Sequence, residues 1–331
     1  MKSSRRDFLK KSSMSIAAAG LASTMPSILK GNTFRKDMPF KLALSQFSLA
    51  SQFWTKQLDP LDFPKKTITT FGIKGMDYCS MFFAGKAKDT TFLNELKKRA
   101  LDNGCYNLRI MVDGEGVLGD LNKDVRTKAV ENHYKWIDAA ATLGCQMIRV
   151  NMEGEGAPAE VAKASAESLN TLLEYGSKSN IDVIVENHIG LSCNGAWLAG
   201  VMKDVNNPHC GTLADFGNFC INRTKPATND IAGYMATKCL EEYDRYKGIA
   251  DLMPFAKGVH AKTHLFDANG NDIETDFSRM FKIIKDSGFK GWVSIEYEGG
   301  LIKMYTKNDK YLDDDAGVIA TKKLIEKVVA V

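Results

Sequence analysis

Residues 181–188 read Ile-Asp-Val-Ile-Val-Glu-Asn-His, a short apolar run that ends in polar residues. Three consecutive β-branched residues, Val183 to Val185, are typical of a strand buried on both faces of a parallel sheet. Glu186 and His188 follow two residues apart and therefore point to the same side of the chain. A carboxylate at the end of a buried strand must be paired or bound to a cation. The stretch thus predicts parallel strands with a polar site at their ends.

Seven other short runs share this character, being rich in Val, Ile or Leu and bounded by Gly, Asn or Asp. Together the eight predicted strands cover residues 41–47, 73–78, 107–112, 146–151, 182–187, 211–216, 258–262 and 292–297. Amphipathic stretches such as 125–143 lie between them, and Gly104, Gly144 and Gly288 are predicted to end helices. The alternation predicts an α/β fold, a single (β/α)8 TIM barrel over residues 38–331, with an open doubly wound sheet as the alternative.

The composition excludes several classes of protein. Of 331 residues, 44% are hydrophobic and 25% are charged, which is the balance of a globular chain. The net charge of +4 is concentrated at the N-terminus, because residues 1–37 hold eight Lys or Arg and two Asp, and the rest holds 36 basic and 38 acidic side chains. The rest of the chain therefore lacks the excess of basic residues that is typical of proteins that bind nucleic acid. No glycine-rich nucleotide loop is present, so neither NAD nor ATP is predicted.

The N-terminal 37 residues are predicted to be an export signal and linker. Residues 4–10 read Ser-Arg-Arg-Asp-Phe-Leu-Lys, and the weakly apolar stretch MSIAAAGLA follows at 14–22. The stretch is shorter than the roughly 20 apolar residues that a membrane-spanning helix needs. The segment resembles a twin-arginine leader, which implies the twin-arginine export machinery as a partner and a periplasmic location. A basic tail without a targeting role is the alternative.

Seven cysteines are scattered singly, without any Cys-x-x-Cys pair. This distribution favours neither a disulfide framework nor a zinc ribbon. Cys105, Cys145 and Cys210 each stand at the entrance to an apolar run, where a small buried side chain is expected.

Three further predicted strands also end in polar residues. These are Asp215 on the sixth strand, His260, Lys262 and His264 on the seventh, and Glu296 and Glu298 on the eighth. Consecutive strand ends of a barrel are neighbours, so Glu186, Asp215, His260 and Glu296 are expected to converge. Three carboxylates and one imidazole suit one divalent ion, Mn, Mg, Co or Zn.

The four strand-end motifs are Val-Glu-Asn-His (185–188), Ala-Asp-Phe-Gly-Asn (214–218), Val-His-Ala-Lys (259–262) and Ile-Glu-Tyr-Glu-Gly (295–299). With them, roughly residues 40–330 resemble the xylose isomerase-like barrels, which include sugar phosphate isomerases and ketose 3-epimerases. The resemblance implies that Glu186, Asp215, His260 and Glu296 bind the metal. It also implies that Glu186 and Glu296 are the acid and base of a sugar isomerase or epimerase.

The implied chemistry is consistent with these residue types. A proton must leave the carbon beside a carbonyl, and a metal would stabilise the resulting enediolate. One carboxylate takes the proton and the other returns it.

The residues for substrate binding depart from the ketose epimerases, which carry a His three residues after the sixth-strand Asp and an Arg shortly after the seventh-strand His. Here the first position is Asn218, and the next Arg after His260 is Arg279. The candidates for substrate binding are His188, Lys262, His264, Arg149, Asn151 and Asn218. Alternatively, Arg149 and Lys262 pair with Glu153, Glu155 or Glu298. Asp77 on the second strand, where many relatives carry Glu, is expected to support the ligands.

Two other functions remain open from the sequence. A lyase would use the same metal and bases but expel a leaving group from a 3-keto-glycoside by β-elimination. A non-catalytic sugar-binding barrel would retain the metal site alone. Endonuclease relatives of the fold use several additional histidines, whereas this chain has five in all, none at the second or third strand end. A small carbohydrate is the expected partner in each remaining case, and an oligomer is compatible with the sequence.

Overall fold

The computed structural model describes residues 38–228 and 231–330, so the predicted leader, residues 1–37, lies outside the described residues. The strands in these residues are β1 Lys41–Ser45, β2 Gly75–Cys79, β3 Tyr106–Met111, β4 Met147–Asn151, β5 Asp182–Glu186, β6 Cys210–Asp215, β7 Cys220–Arg223, β8 Cys239–Glu242, β9 Ala256–Thr263 and β10 Trp292–Tyr297. Eight of them are parallel and close into a barrel in the order β1-β10-β9-β6-β5-β4-β3-β2, and β7 and β8 form a separate hairpin. The prediction of a closed barrel is confirmed, and the open sheet is excluded.

Helices connect the barrel strands. They are α1 Ala50–Trp54, α2 Phe63–Phe71, α3 Thr90–Asp102, α4 Lys123–Leu143, α5 Pro158–Ser177, α6 Gly195–Val205, α7 Ile231–Met235, α8 Arg245–Leu252, α9 Phe277–Asp286, α10 Gly299–Thr306 and α11 Asp314–Val329. Short 3-10 turns occur at Gln46–Leu49, Pro60–Asp62, Ser80–Phe83, Gly190–Cys193 and Met253–Phe255. None of the helices in the described ranges is long and apolar enough to cross a membrane.

The ends of α4 show how local sequence sets an element. The Asn122 side chain accepts hydrogen bonds from the backbone N–H groups of Asp124 and Val125 and thereby caps the first turn. At the other end Gly144 takes a left-handed conformation with φ of 83°, as its predicted role required. The helix therefore begins and ends at residues suited to stop it.

Apolar faces hold the helices against the barrel. In α9 the buried residues are Phe277, Met280, Phe281 and Ile284, spaced so that they form one stripe. Phe216, just after β6, is fully buried and packs edge-to-face on Phe277 and Phe281. The contact between α9 and the barrel is therefore largely apolar.

The hairpin of β7 and β8 corrects one expectation from the sequence. Cys220 and Cys239 form a disulfide bond, although the scattered cysteines favoured none. Their separation of 19 residues in sequence is bridged only because the antiparallel hairpin brings the two strands together. Of the other cysteines, Cys105 and Cys145 are buried as predicted, and Cys210 is only half-buried.

Candidate metal centre

Four consecutive barrel strands each deliver one polar side chain to the same place. Glu186 ends β5, Asp215 ends β6, His260 lies on β9 and Glu296 lies on β10, and these strands are neighbours in the order β5-β6-β9-β10. The register pairs Asp215 directly with His260, which sets both at one level of the barrel. All four side chains are buried, with exposed fractions between 0 and 4%.

The four side chains converge closely. One candidate ligand atom from each lies within 4.8 Å of all the others. His260 Nδ1 is 3.1 Å from Glu296 Oε2, 3.2 Å from Glu186 Oε1 and 3.9 Å from Asp215 Oδ2. The predicted convergence of these strand ends is therefore what the fold produces.

In this cluster Asp215 Oδ2 and His260 Nδ1 lack a hydrogen-bond partner among the described residues. Glu186 Oε2 also makes no hydrogen bond of good geometry, but it forms an ion pair with Arg149 Nε at 2.8 Å. Buried polar atoms are rarely left without a hydrogen-bond partner, because desolvation costs about 1 to 3 kcal/mol for each. Carboxylate oxygens and an imidazole nitrogen are the donors that a hard or borderline divalent cation takes. The residues present thus fit a metal ion.

The three carboxyl groups of the cluster have pKa values shifted by burial and by their charged neighbours. Burial raises the pKa of Asp215 to about 8, and the Glu296 and Glu186 carboxylates add to the rise against the opposing effect of Lys262. Burial alone would raise the pKa of Glu296 as well, but His260 and Lys262 outweigh it and hold that pKa well below its usual range. In the same way Arg149 and His260 lower the pKa of Glu186 against its burial. A bound cation would favour the ionised form of all three carboxylates.

Polar groups around the cluster hold two of its members. Ser45, at the end of β1, donates a hydrogen bond of 2.8 Å from Oγ to Glu296 Oε1. Asp77 on β2 lies with Oδ2 3.2 Å from His260 Nε2, the nitrogen that faces away from the carboxylates. Asp77 is thus found where the sequence placed a supporting residue, whereas Ser45 was not anticipated.

Lys262 lies beside the cluster and is heavily engaged. Its Nζ donates to Glu298 Oε1 at 2.7 Å and to Asn218 Oδ1 at 3.2 Å, and it is 3.2 Å from Glu296 Oε2. Burial would lower the pKa of Lys262, but Asp215 and the two glutamates hold it well above its usual range. The side chain therefore neutralises carboxylates on both β6 and β10.

Arg149 and Asn151 at the end of β4 meet a residue that the sequence analysis missed. Arg149 Nη1 donates to Asp113 Oδ1 at 2.7 Å, and Asn151 Nδ2 donates to the same oxygen at 2.9 Å. Arg149 Nε is also 2.8 Å from Glu186 Oε2. The expected alternative partners of Arg149, Glu153 and Glu155, are thus replaced by Asp113 and Glu186. Asp113 directly follows the predicted third strand, so the rule applied to the other strand ends would have found it.

The two histidines predicted to bind substrate, His188 and His264, lie outside the four-residue cluster. His264 Nδ1 is 3.0 Å from Glu274 Oε2 and its Nε2 is 3.5 Å from Glu298 Oε2, so Glu298 joins it to Lys262. His188 is half-buried, and its Nδ1 has no hydrogen-bond partner among the described residues. Neither ring joins the four-residue cluster, although His188 and Glu186 share one strand end.

Comparison with known proteins places the fold. Residues 69–322 match the family model described as xylose isomerase-like TIM barrel. Among solved structures the chain is similar to L-ribulose 3-epimerase, at 15% identity and a TM-score of 0.62, covering 88% of this chain and 95% of that one. A sugar phosphate isomerase/epimerase from Parabacteroides distasonis has 16% identity and a TM-score of 0.58, with coverage of 89% and 96%.

The IOLI protein, whose structure holds a zinc atom, is also similar, at 14% identity and a TM-score of 0.59, with coverage of 88% and 98%. At these identities the similarity concerns the fold. A comparison with curated protein sequences found no significant match.

Proposed function

The chain belongs to the xylose isomerase-like TIM barrel family, and we propose that it is a divalent-metal-dependent isomerase or epimerase of a sugar. The observation that carries this proposal is the buried cluster of three carboxylates and one imidazole, in which Asp215 Oδ2 and His260 Nδ1 have no hydrogen-bond partner among the described residues. Glu186, Asp215, His260 and Glu296 would hold the ion. The ion would stabilise the negative charge that develops on the substrate oxygens when a proton leaves carbon.

Glu186 and Glu296 are proposed as the acid and base. They come from the two outer strands of the four, with β6 and β9 between them. Two carboxylates that reach the same substrate from different strands can serve different faces of one carbon. One removes the proton beside the carbonyl, and the other delivers a proton to the opposite face or the adjacent carbon. Arg149 beside Glu186 and Ser45 beside Glu296 favour the ionised carboxylates, which are the forms that can accept a proton.

Residues around the cluster supply candidates for binding the sugar. Asn218 Nδ2 and His188 Nδ1 are buried atoms without a hydrogen-bond partner among the described residues, as is Gln46 Nε2 at the end of β1. Sugar hydroxyl groups both donate and accept hydrogen bonds and could satisfy such atoms. We propose Asn218 and His188 as direct contacts. Lys262, Arg149, Asn151 and His264 would act at the edge of the site, where their charges and amides already have partners.

The pairing of the basic residues favours an uncharged substrate. Arg149 contacts Asp113, Lys262 contacts Glu298, and His264 contacts the same Glu298. A phosphate group is bound most strongly by basic side chains that are free to pair with it. Each of these three is already committed to a carboxylate, so we infer a neutral sugar rather than a sugar phosphate.

One observation favours a lyase as the second candidate. An elimination begins with the same proton abstraction, but then the carbon–oxygen bond to the leaving group breaks and that oxygen must receive a proton. The Lys262 ammonium lies 3.2 Å from Glu296 Oε2 and could donate this proton. A 3-keto-glycoside would be the substrate, and a free aglycone would be one product.

Solvent isotope incorporation tests the proposal. The metal-reconstituted protein is incubated in D2O with neutral ketoses and with 3-keto-glycosides, and products are analysed by NMR. Deuterium beside the carbonyl with interconversion of two sugars supports the isomerase or epimerase, and aglycone release would establish the lyase instead. Glu186→Gln should lower the rate by about 10²- to 10⁴-fold. The exposed Glu160→Gln on α5 is the control. Sugar binding without exchange or release would leave a non-catalytic sugar-binding barrel and overturn the enzyme.

We further propose that the chain is exported to the periplasm by the twin-arginine route. The disulfide between Cys220 and Cys239 supports this, because such bonds persist in oxidising compartments. Replacing Arg5 and Arg6 by Lys should retain the protein in the cytoplasm, as measured by cell fractionation with a cytoplasmic marker. Unchanged periplasmic recovery of the double variant would contradict the route.

A further inference from the structure

Asp77 is fully buried inside the barrel and is surrounded by donors. Arg109 Nε donates to Asp77 Oδ1 at 2.8 Å, and Ser294 Oγ donates to Oδ2 at 2.5 Å. His260 Nε2 is 3.2 Å from the same Oδ2. Asp77, Arg109, Ser294 and His260 are each 0 or 1% exposed, so water does not compete for these contacts.

This surrounding fixes which nitrogen of His260 carries hydrogen. Both oxygens of Asp77 accept hydrogen bonds from other residues, so the carboxylate presents an acceptor to the imidazole. Nε2 must therefore be the donor, and in the neutral ring Nδ1 then keeps its lone pair. Nδ1 is the nitrogen that faces Glu186 and Glu296. A carboxylate behind a ligating histidine orients the ring and increases its basicity toward a metal.

Arg109 depends on a glycine on another strand. A Cβ atom at Gly258 would overlap Arg109 Nη1 and would lie 2.8 Å from its Cζ. The guanidinium therefore extends from β3 to the backbone of β9, in the space left by the missing side chain. Gly258 precedes His260 by two residues on the same strand. Asp77 is also paired with Arg109 in the register of β2 and β3, so one compact unit spans three strands.

We propose that Asp77, held by Arg109 over Gly258, is the positioning residue that keeps His260 in the Nε2–H tautomer with Nδ1 directed at the metal. This inference rests on the proposed metal function and adds to it a specific support for the histidine. Asp77 does not itself contact the ion. Its effect passes through His260, and the effect of Arg109 passes through Asp77.

The test combines nitrogen NMR with metal affinity. Protein labelled with ¹⁵N-histidine is loaded with Zn²⁺, and affinity is measured by competition with a chelator. In the wild type we expect a slowly exchanging Nε2–H on His260 and a metal-shifted Nδ1. Asp77→Asn should lose the protected Nε2–H and bind Zn²⁺ about 10- to 100-fold more weakly. The control is Asp314→Asn, which removes another buried carboxylate that accepts a hydrogen bond from a serine, Ser51. It should leave both readouts unchanged.

Gly258→Ala tests the role of Arg109 without altering any of the polar groups. It should displace the guanidinium and weaken Zn²⁺ binding, but cause no further loss when Asp77 is already Asn. Coordination through Nε2 in the wild type, or unchanged Zn²⁺ affinity in folded Asp77→Asn, would overturn the inference. If the Asp77 variant fails to fold, the wild-type spectrum still shows which nitrogen of His260 carries hydrogen and which one binds Zn²⁺. Absence of Zn²⁺ binding by the wild type would instead count against the proposed function.

Discussion

Asp215 is the residue at which burial and charge conflict most. Its Oδ1 accepts hydrogen bonds from the backbone N–H groups of Gly217 and Asn218, while its Oδ2 has no hydrogen-bond partner among the described residues. It is fully buried beside the Glu186 and Glu296 carboxylates. Such an arrangement reduces stability unless a cation is bound, which is a common property of functional sites.

Asp215→Asn should therefore have opposite effects on stability and on binding. The amide retains an oxygen for the two backbone donors and removes one of three clustered carboxylates. We expect the free energy of unfolding of chelator-treated protein to rise by about 1 kcal/mol or more. Metal should no longer raise the melting temperature of this variant. A lower melting temperature than wild type, both measured in chelator, would contradict the account of the charges.

His264 gives a prediction for pH dependence outside the four-residue cluster. Burial would lower the pKa of His264, but hydrogen bonds with Glu274 and Glu298 raise it from 6.5 to about 10. A histidine whose pKa is higher in the folded state stabilises the fold fully below the unfolded pKa, and this contribution is lost as pH rises through the folded value. The stability gap between wild type and His264→Gln should thus be largest below pH 6.5 and shrink toward pH 10. Urea denaturation across this range measures it, and parallel curves would contradict it.

The four residues of the cluster could be singled out from the sequence because each interrupts or ends an apolar run, where an unpaired charge is costly. Their partners were harder to predict. Ser45 is small and neutral, and its role depends on the closure of β1 against β10. Arg109 stands within an apolar run, which indicates that it has a buried partner. The sequence does not identify that partner, because the long side chain reaches Asp77 on another strand. Gly258 has no side chain to mark it.

At the scale of elements, the eight barrel strands were predicted from short apolar runs rich in Val, Ile or Leu and bounded by Gly, Asn or Asp. Their observed bounds differ from the prediction by a few residues, as with β9, which begins at Ala256 rather than 258. The hairpin of β7 and β8 was missed because its strands are short and mostly exposed, so they lack a hydrophobic pattern. The disulfide between Cys220 and Cys239 was missed as well, because the two cysteines are brought together only by this hairpin.

The disulfide should stabilise the hairpin. In the chain-entropy account, cross-linking a loop of this length contributes about 3 kcal/mol. Replacing Cys220 and Cys239 together by Ser should increase amide hydrogen exchange in β7 and β8 and leave the barrel strands protected. Reduction of the wild type should reproduce the change, whereas the double variant should not respond to reductant. Equal exchange in wild type and variant would show that the bond does not hold the hairpin.

At the scale of the whole molecule, barrel closure is what creates the site. The four proposed ligands are spread over 111 positions of the chain, from Glu186 to Glu296, and become neighbours only through the order β5-β6-β9-β10. A cation bound to all four would therefore connect four strands at their carboxyl ends. Binding to the folded state alone stabilises it by about 2.7 kcal/mol at a ligand concentration of 100 times Kd.

Metal removal should accordingly lower the melting temperature. Treatment with a chelator is expected to shift the unfolding transition downward, and added Mn²⁺ or Co²⁺ should restore it in a concentration-dependent manner. Glu160→Gln, on the surface of α5, should respond as the wild type does. A melting temperature independent of chelator and metal would indicate that the ion does not bind preferentially to the folded state.

The most direct test of the central claim is elemental analysis of protein purified without chelator and then soaked in Mn²⁺, Co²⁺, Zn²⁺ or Mg²⁺. The wild type should hold about one equivalent of divalent metal per chain, and a Glu186→Gln, His260→Ala double variant that folds should hold essentially none. Metal absent from the soaked wild type, or equally abundant in the folded double variant, would contradict the assignment of the site.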